Sequence, residues 1–251
     1  MTRLVHTAPH PGPVLLDLYV PSGTVKVTCD PDCERAKVVV RAAGYATETV
    51  RTGWADKYSR FSVHIPESDG VTPASIQNIN VVGGSVAIGN SVGGDLTING
   101  TRVSADVGAD DLEITATVPE GSAIVAVTRA ARVQAFGEYT AVQFTSTAGG
   151  LLVESTRLLM ANTVSGRVRA EAISRCALVE TVSGAIDLYV SEGAQVTARS
   201  VSGRIRVDAS PTALAEGLEV DATSVSGRVI TPDTDGISTA WTRRAHRGGA
   251  R

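Results

Sequence analysis

Val-Ser-Gly recurs four times in the second half of the chain: in "TVSGRVR" from Thr163, "TVSGAID" from Thr181, "SVSGRIR" from Ser200 and "SVSGRVI" from Ser224. The glycines fall at Gly166, Gly184, Gly203 and Gly227, in steps of 18, 19 and 24 residues. A worn copy, "TSTAGGLLVES" at 145–155, puts Gly150 sixteen residues ahead of the first. A drifting period near 18 belongs to stacked supersecondary units, each burying its apolar side against its neighbours.

Parity around the glycine gives the unit its shape. Two and four places after it stand Val168/Ala170, Ile186/Leu188, Ile205/Val207 and Val229/Thr231. One and three places after it stand Arg167/Arg169, Ala185/Asp187, Arg204/Arg206 and Arg228/Ile230. Such alternation is a strand with one buried face. Seven and five places before the glycine lie Leu159/Ala161, Ala177/Val179, Val196/Ala198 and Val220/Ala222. There the parity is reversed, so the chain must turn at Val-Ser-Gly while both flanking strands keep their apolar sides on one core. In this reading Val164, Val182, Val201 and Val225 plug the corner. Ser165, Ser183, Ser202 and Ser226 bond the local backbone. Gly166, Gly184, Gly203 and Gly227 supply a positive φ or a close backbone approach. The expectation is an all-β chain, a β-solenoid (β-helix-like) of stacked repeats of about 18 residues. About eight coils at about 4.8 Å each would make a rod near 40 Å long.

Composition supports this. The chain has 251 residues with 43% hydrophobic and 20% charged, which excludes wholesale disorder. Aromatics are only 4% while Gly reaches 25. Small and β-branched residues suit the narrow interior of a coil better than a wide sandwich core. Residues 14–70 read as paired strands: "VLLDLYV" and "GTVKVTC" flank Pro21-Ser22-Gly23, and "TETVRTG" and "SRFSVHIPE" flank a loop. The expected domains are an N-terminal antiparallel β cap at 1–75, the repeat region at 76–232 and a basic, disordered tail at 233–251. Only "ASPTALAEGLEV" at 209–220 permits a helical turn.

The opening "VLLDLYVPSGTVKVTC", followed by repeated "TVSGxVxV", resembles the DUF4097 family of bacterial adhesin-like β-strand repeat proteins over most of residues 14–232. The resemblance implies a β-solenoid-like architecture and a non-enzymatic binding or scaffold role. It supplies no catalytic residues. It also implies envelope association, whereas the N-terminus here shows no signal peptide and no window approaches eighteen apolar residues. A cytoplasmic location is the expectation from the residues themselves.

Chemistry is sparse. Net charge is −3, against a general nucleic-acid role. Glycine-rich 76–100 lacks the Gly-Lys-Ser/Thr ending of a phosphate loop. His6, His10, His64 and His246 are scattered, and no Ser-His-Asp set can be nominated from spacing. Cys29 and Cys33 would face each other if Asp30-Pro31-Asp32 closes a hairpin; with Cys176 they make an odd count, and reduced thiols are expected. Asp110, Asp111 and Glu113 are weak candidates for a calcium or acid/base site, best read as a solvated strand edge. Stacking would place Asp187 between Arg169 and Arg206, pairing charge between rungs. Arg204, Arg228, Arg243, Arg244 and Arg247 could form a basic stripe for an anion.

The functional expectation is a non-enzymatic scaffold or binding module without cofactor. Its partner would be a protein, self or other, met through the open ends of the solenoid as a homo-oligomer. The alternatives are a glycan-binding or polysaccharide-acting protein using the acidic 106–113 surface, and a polyanion binder using the arginines.

Overall fold

The computed structural model describes residues 2–42, 50–56, 59–65, 96–98, 101–103 and 112–232. The chain is all-β. In order it forms β1 (Thr2–Thr7), β2 (Leu15–Val20), β3 (Thr24–Cys29), β4 (Lys37–Ala42), β5 (Arg51–Ala55) and β6 (Arg60–His64). Two short strands, β7 (Leu96–Ile98) and β8 (Thr101–Val103), pair antiparallel with each other. Then come β9 (Glu113–Val118), β10 (Ala123–Thr128), β11 (Arg132–Ser146), β12 (Leu151–Thr163) and β13 (Val168–Thr181). The last are β14 (Ile186–Val190), β15 (Gln195–Ser200), β16 (Ile205–Ala209), β17 (Glu219–Ser224) and β18 (Val229–Ile230).

Two ladders carry the fold. The first runs β5-β6-β2-β10-β11-β12-β13-β15-β17 and uses the C-terminal halves of β11, β12 and β13. The second runs β1-β4-β9-β3-β11-β12-β13-β14-β16-β18 and uses their N-terminal halves. Among β10 to β18 every pairing of one with another is parallel and joins residues 17 to 24 positions apart, Thr163 to Thr181 and Ser200 to Ser224 for instance. A strand paired in parallel with the next copy of itself is one rung resting on another. Because β11, β12 and β13 serve both ladders, the whole forms one sheet of 16 strands.

Each of those three strands shifts register where it passes between ladders: at Ala135/Glu138, Thr156/Leu158 and Ala170/Ile173. A bulge bends the strand without a loop. At the first, Gly137 adopts φ +94°, and a Cβ there would stand 2.8 Å from that of Cys29. Tyr139 follows, wholly buried, its hydroxyl donating to the carbonyls of Phe136 (2.9 Å) and Val27 (3.1 Å). Burial pushes this phenol well above its ordinary pKa.

The interior is a set of columns. Leu16, Ile124, Val142, Leu159, Ala177 and Val196 stack along the first ladder, each at most 2% exposed. Ile186 and Ile205 continue Val168 along the second, all fully buried. The single helix among the described residues, α1 (Pro211–Ala215), occupies the connection from β16 to β17. Ser210 caps it, accepting from the Ala213 N–H, with Pro211 opening the first turn.

The N-terminal strands depart from the expected hairpins. β2 and β3 do not pair with each other. β2 lies parallel between β6 and β10, and β3 parallel between β9 and β11. "VPSGTVKV" is therefore a rung that turns at the same level as the later copies: Val20 stands level with Thr128 as Thr163 does with Thr181. Its corner differs in that Val20 has no hydroxyl and Gly23 adopts φ +102°. Within the large sheet, antiparallel pairing is confined to β1–β4, β4–β9 and β5–β6. Likewise β3 and β4 do not form a hairpin around Asp30-Pro31-Asp32, since β4 pairs with β1 and β9. Cys29 and Cys33 are free thiols, as is Cys176. The Cys29 thiol is pushed up, first by burial and then by the Glu120 carboxylate.

Candidate functional site

The corner column is the most regular part of the molecule, and its parts are distributed differently from the sequence reading. The residue three places before each glycine does the capping. Gly166, Gly184, Gly203 and Gly227 donate their N–H groups to Thr163 Oγ1 (3.1 Å), Thr181 Oγ1 (2.9 Å), Ser200 Oγ (2.7 Å) and Ser224 Oγ (2.9 Å). Ser146 does the same for Gly149 at 2.8 Å. Gly149, not Gly150, is thus the glycine of the worn copy. The signal was visible as a Thr or Ser at that place in every copy.

The glycines are required by close approach. None of the four has a positive φ, and a Cβ on Gly184 would be driven into the Gly166 carbonyl oxygen, as one on Gly203 would be into that of Gly184. The serines bond across rungs and not locally. Ser183 Oγ donates to the Val164 carbonyl, Ser202 Oγ to that of Val182 and Ser226 Oγ to that of Val201, each at 3.3 Å; Ser165 Oγ reaches the Thr147 carbonyl at the same distance. The valines do not plug the corner. Val164, Val182, Val201 and Val225 point outward, from 46% exposed at Val164 to 83% at Val225. Alternation runs on to the valine, which follows the buried hydroxyl and so faces water, and it breaks one place later, where the serine is exposed as well.

The outward ladders show where the charges go. Arg169, Asp187 and Arg206 are in register. Their ion pairs are nonetheless different: Asp187 is held by Arg204 at 3.3 Å, Arg169 by Glu171 at 3.2 Å and Arg206 by Asp208 at 2.7 Å. A partner two places along the same strand, though farther off than the next rung, is within reach of a long arginine side chain. Arg204, expected in a basic stripe, is therefore neutralised from the neighbouring rung. Arg228 is exposed in the same column, its carbonyl accepting from the Ile205 N–H. Arg243, Arg244 and Arg247 lie outside the described residues.

Of the acidic candidates, Asp110 and Asp111 also lie outside the described residues. Glu113 opens β9, half-exposed, and is held by Arg41 at 3.3 Å. Among the described residues no group of three or more His, Cys, Asp or Glu could hold a metal ion. A Gly-x-Ser-x-Gly pentad, Gly89 to Gly93, has the spelling of a nucleophile elbow and falls outside them too. An open depression of about 310 Å³ lies at the corner, lined by Tyr19, Pro21, Val127, Thr128, Arg129 and Thr147. It brings one cation and no carboxylate.

The two ends differ. Beyond β6 and β9 lie β5, β4 and β1, and the residues they cover are buried, Phe61, Val63, Val38 and Val40 among them. At the other end β17 pairs only with β15, and β18 only with β16, among the described residues. There Val220 and Ala222 are half-buried, although Val196 and Ala198 one rung in are fully buried.

The fold has a counterpart among solved structures. The chain is similar to a "putative adhesin" from Bacteroides fragilis NCTC 9343, with a TM-score of 0.52 at 11% identity, over 92% of this chain and 97% of that one. A "putative cell adhesion protein" from Clostridium sporogenes ATCC 15579 aligns over 92% of this chain and 99% of that one, at 8% identity and a TM-score of 0.43. The first likeness is one of fold and extends over nearly the whole chain. No protein-family model and no curated protein matches the sequence. No helix of the described residues is long and apolar enough to cross a membrane.

Proposed function

We propose that the protein is a non-enzymatic scaffold or binding module, a β-solenoid of the DUF4097 kind that works by protein–protein assembly. The observation that carries this is the asymmetry of the ends. A stack of parallel rungs has its unpaired N–H and C=O groups at its two ends, and such edges template further pairing unless covered. One end is covered by antiparallel strands; among the described residues the other presents β17 and β18, with Val220 and Ala222 of β17 half-buried. The long outward faces add display surface, with their charges paired on the surface itself. The adhesion-type descriptions of the similar structures agree with a binding role.

Sedimentation velocity and negative-stain microscopy of the intact chain over a wide concentration range test the proposal. Defined oligomers or filaments are expected. A strict monomer at the highest concentration, with no co-purifying protein, overturns it.

A further inference from the structure

We infer that the partner at the open end is a second copy of this chain, docked C-terminal rung to C-terminal rung about a two-fold axis, and that assembly stops at the dimer. This rests on the assembly reading above and specifies its geometry.

The stopping rule follows from the ends. Head-to-tail growth would need the rung β17–β18 to meet the opposite end, but that end offers β1 and β5, the outer members of antiparallel pairs. Their neighbours already have apolar cover. What matches an open rung in column spacing and chemistry is another open rung. Two copies brought end to end by a two-fold axis normal to the sheets set β17 antiparallel to the partner's β17. Antiparallel pairing is no weaker than the parallel pairing inside the stack. An isologous contact of this kind consumes both open ends and leaves no site for a third copy.

The charges select the register. Apolar positions must face apolar positions, so the paired residue numbers must sum to an even value, and the axis passes through a residue. An axis at Asp221 sets Asp221 against itself, and one at Val220 sets Glu219 against Asp221; both oppose like charges. An axis at Ala222 sets Val220 opposite Ser224 and Asp221 opposite Thr223, and it engages β17 from Val220 to Ser224. This register leaves Asp221 facing a neutral hydroxyl while Arg199 of its own chain reaches it at 3.7 Å from the rung behind. β18 adds little, being two residues long and followed by Pro232 after Thr231. Val229 and Ile230, 37% and 41% exposed, lie at the same end.

Thr223 gives a test read at the contact between copies. Within one chain Thr223 is level with Arg199 on the rung behind and stands two places from Asp221 on its own strand. A charge placed there therefore meets one attractive and one repulsive neighbour inside its own chain, whichever its sign, while across the axis it meets the other copy's Asp221. Measured by sedimentation equilibrium on the full chain, the wild type is expected to dimerise without larger species. Thr223→Asp should weaken the dimer about tenfold, its two symmetry-related contacts counted together. Thr223→Arg should leave the dimer intact or tighter, and both variants should melt close to the wild type in dilute solution. Oligomers that ignore both substitutions, or that grow without limit, overturn this geometry while leaving assembly as the function. A monomer throughout overturns both.

Discussion

The two ends of the stack are made of the same rung and finished differently, and the contrast separates what makes a rung from what makes it stable. At the N-terminal end Phe61 and Val63 are nearly as buried as mid-stack residues, because β5 and the antiparallel strands β1 and β4 lie beyond their rung. At the C-terminal end the hydrogen-bonded corner is complete, with the Gly227 N–H capped by Ser224 Oγ and Ser226 reaching back to Val201. Yet Val220, Ala222 and Val229 are only partly covered. Corner bonding is thus a property of each rung and its predecessor, whereas burial needs a rung on both sides. In a quasi-one-dimensional stack, stability is a sum of such neighbour terms, and the last rung lacks one of them.

The sharpest way to break the comparison is to truncate the same column at both places. Ile186→Ala, in the fully buried middle, should cost about 4 kcal/mol in urea unfolding, whereas Val229→Ala, 37% exposed, should cost well under about 1 kcal/mol. Equal losses would show that the last rung is buried in solution. Next come the glycines. Gly184→Ala forces a methyl into the Gly166 carbonyl and should cost about 3 kcal/mol, because the next rung prevents retreat. Gly217→Ala, at φ +90° with nothing within 4 Å of the new Cβ, should cost only about 1 kcal/mol of backbone strain.

Smaller effects follow from the hydroxyl ladder and Tyr139. Thr181→Val strands the buried Gly184 N–H and should cost about 1.5 kcal/mol; Ser224→Ala, at the half-open end, should cost less than half of that. The Tyr139 phenol has its folded pKa raised by burial, so folding favours the neutral form. Its contribution is complete below the unfolded value near about 10 and is lost as pH rises above that. Tyr139→Phe should lower stability at neutral pH by about 1 kcal/mol and flatten the alkaline loss in a pH series of thermal melts. An unchanged alkaline slope would assign that loss to other groups.

Much of this architecture was legible in the repeat. Even and odd offsets from Gly166, Gly184 and Gly203 separate buried Val168, Ile186 and Ile205 from exposed Arg167, Arg169 and Arg206, because period-2 alternation is local. The one-turn helix was legible as well, since Ser210-Pro211 is a cap followed by a fixed φ. The N-terminal rung was harder. Its corner reads Pro-Ser-Gly, spelled like a hairpin turn, and only long-range pairing of β3 with β9 and β11 shows otherwise. Nor does any local pattern say that β2 sits between β6 and β10, out of chain order. At the corner column, alternation reaches one place further than the turn suggests. Val182 follows buried Thr181 and points outward as period 2 requires, and Ser183, exposed as well, breaks the pattern; Gly184 is needed for what the preceding rung does at Gly166. The charge pairs were illegible for a related reason: register puts Arg169 beside Asp187, but side-chain length lets Glu171 compete.

The smallest expected effect concerns those charges, and it sets the middle of the stack against its end. Asp187 is 23% exposed and is held by Arg204, while Asp221 on the last rung is 63% exposed and is held by Arg199 at 3.7 Å. Water screens the second pair more strongly, and both arginines are more than half exposed, so neither pair should be large. A double-mutant cycle of Arg204→Ala with Asp187→Ala should give a coupling of about 0.5 kcal/mol at low salt, fading with added salt. The Arg199–Asp221 cycle, run in dilute solution, should give less than about 0.2 kcal/mol. If the end pair couples as strongly as the middle one, Asp221 is shielded by something beyond its own rung. Repeating that cycle across the concentration range would then show whether the shield is a second copy, because only a coupling that grows with concentration belongs to the contact between chains.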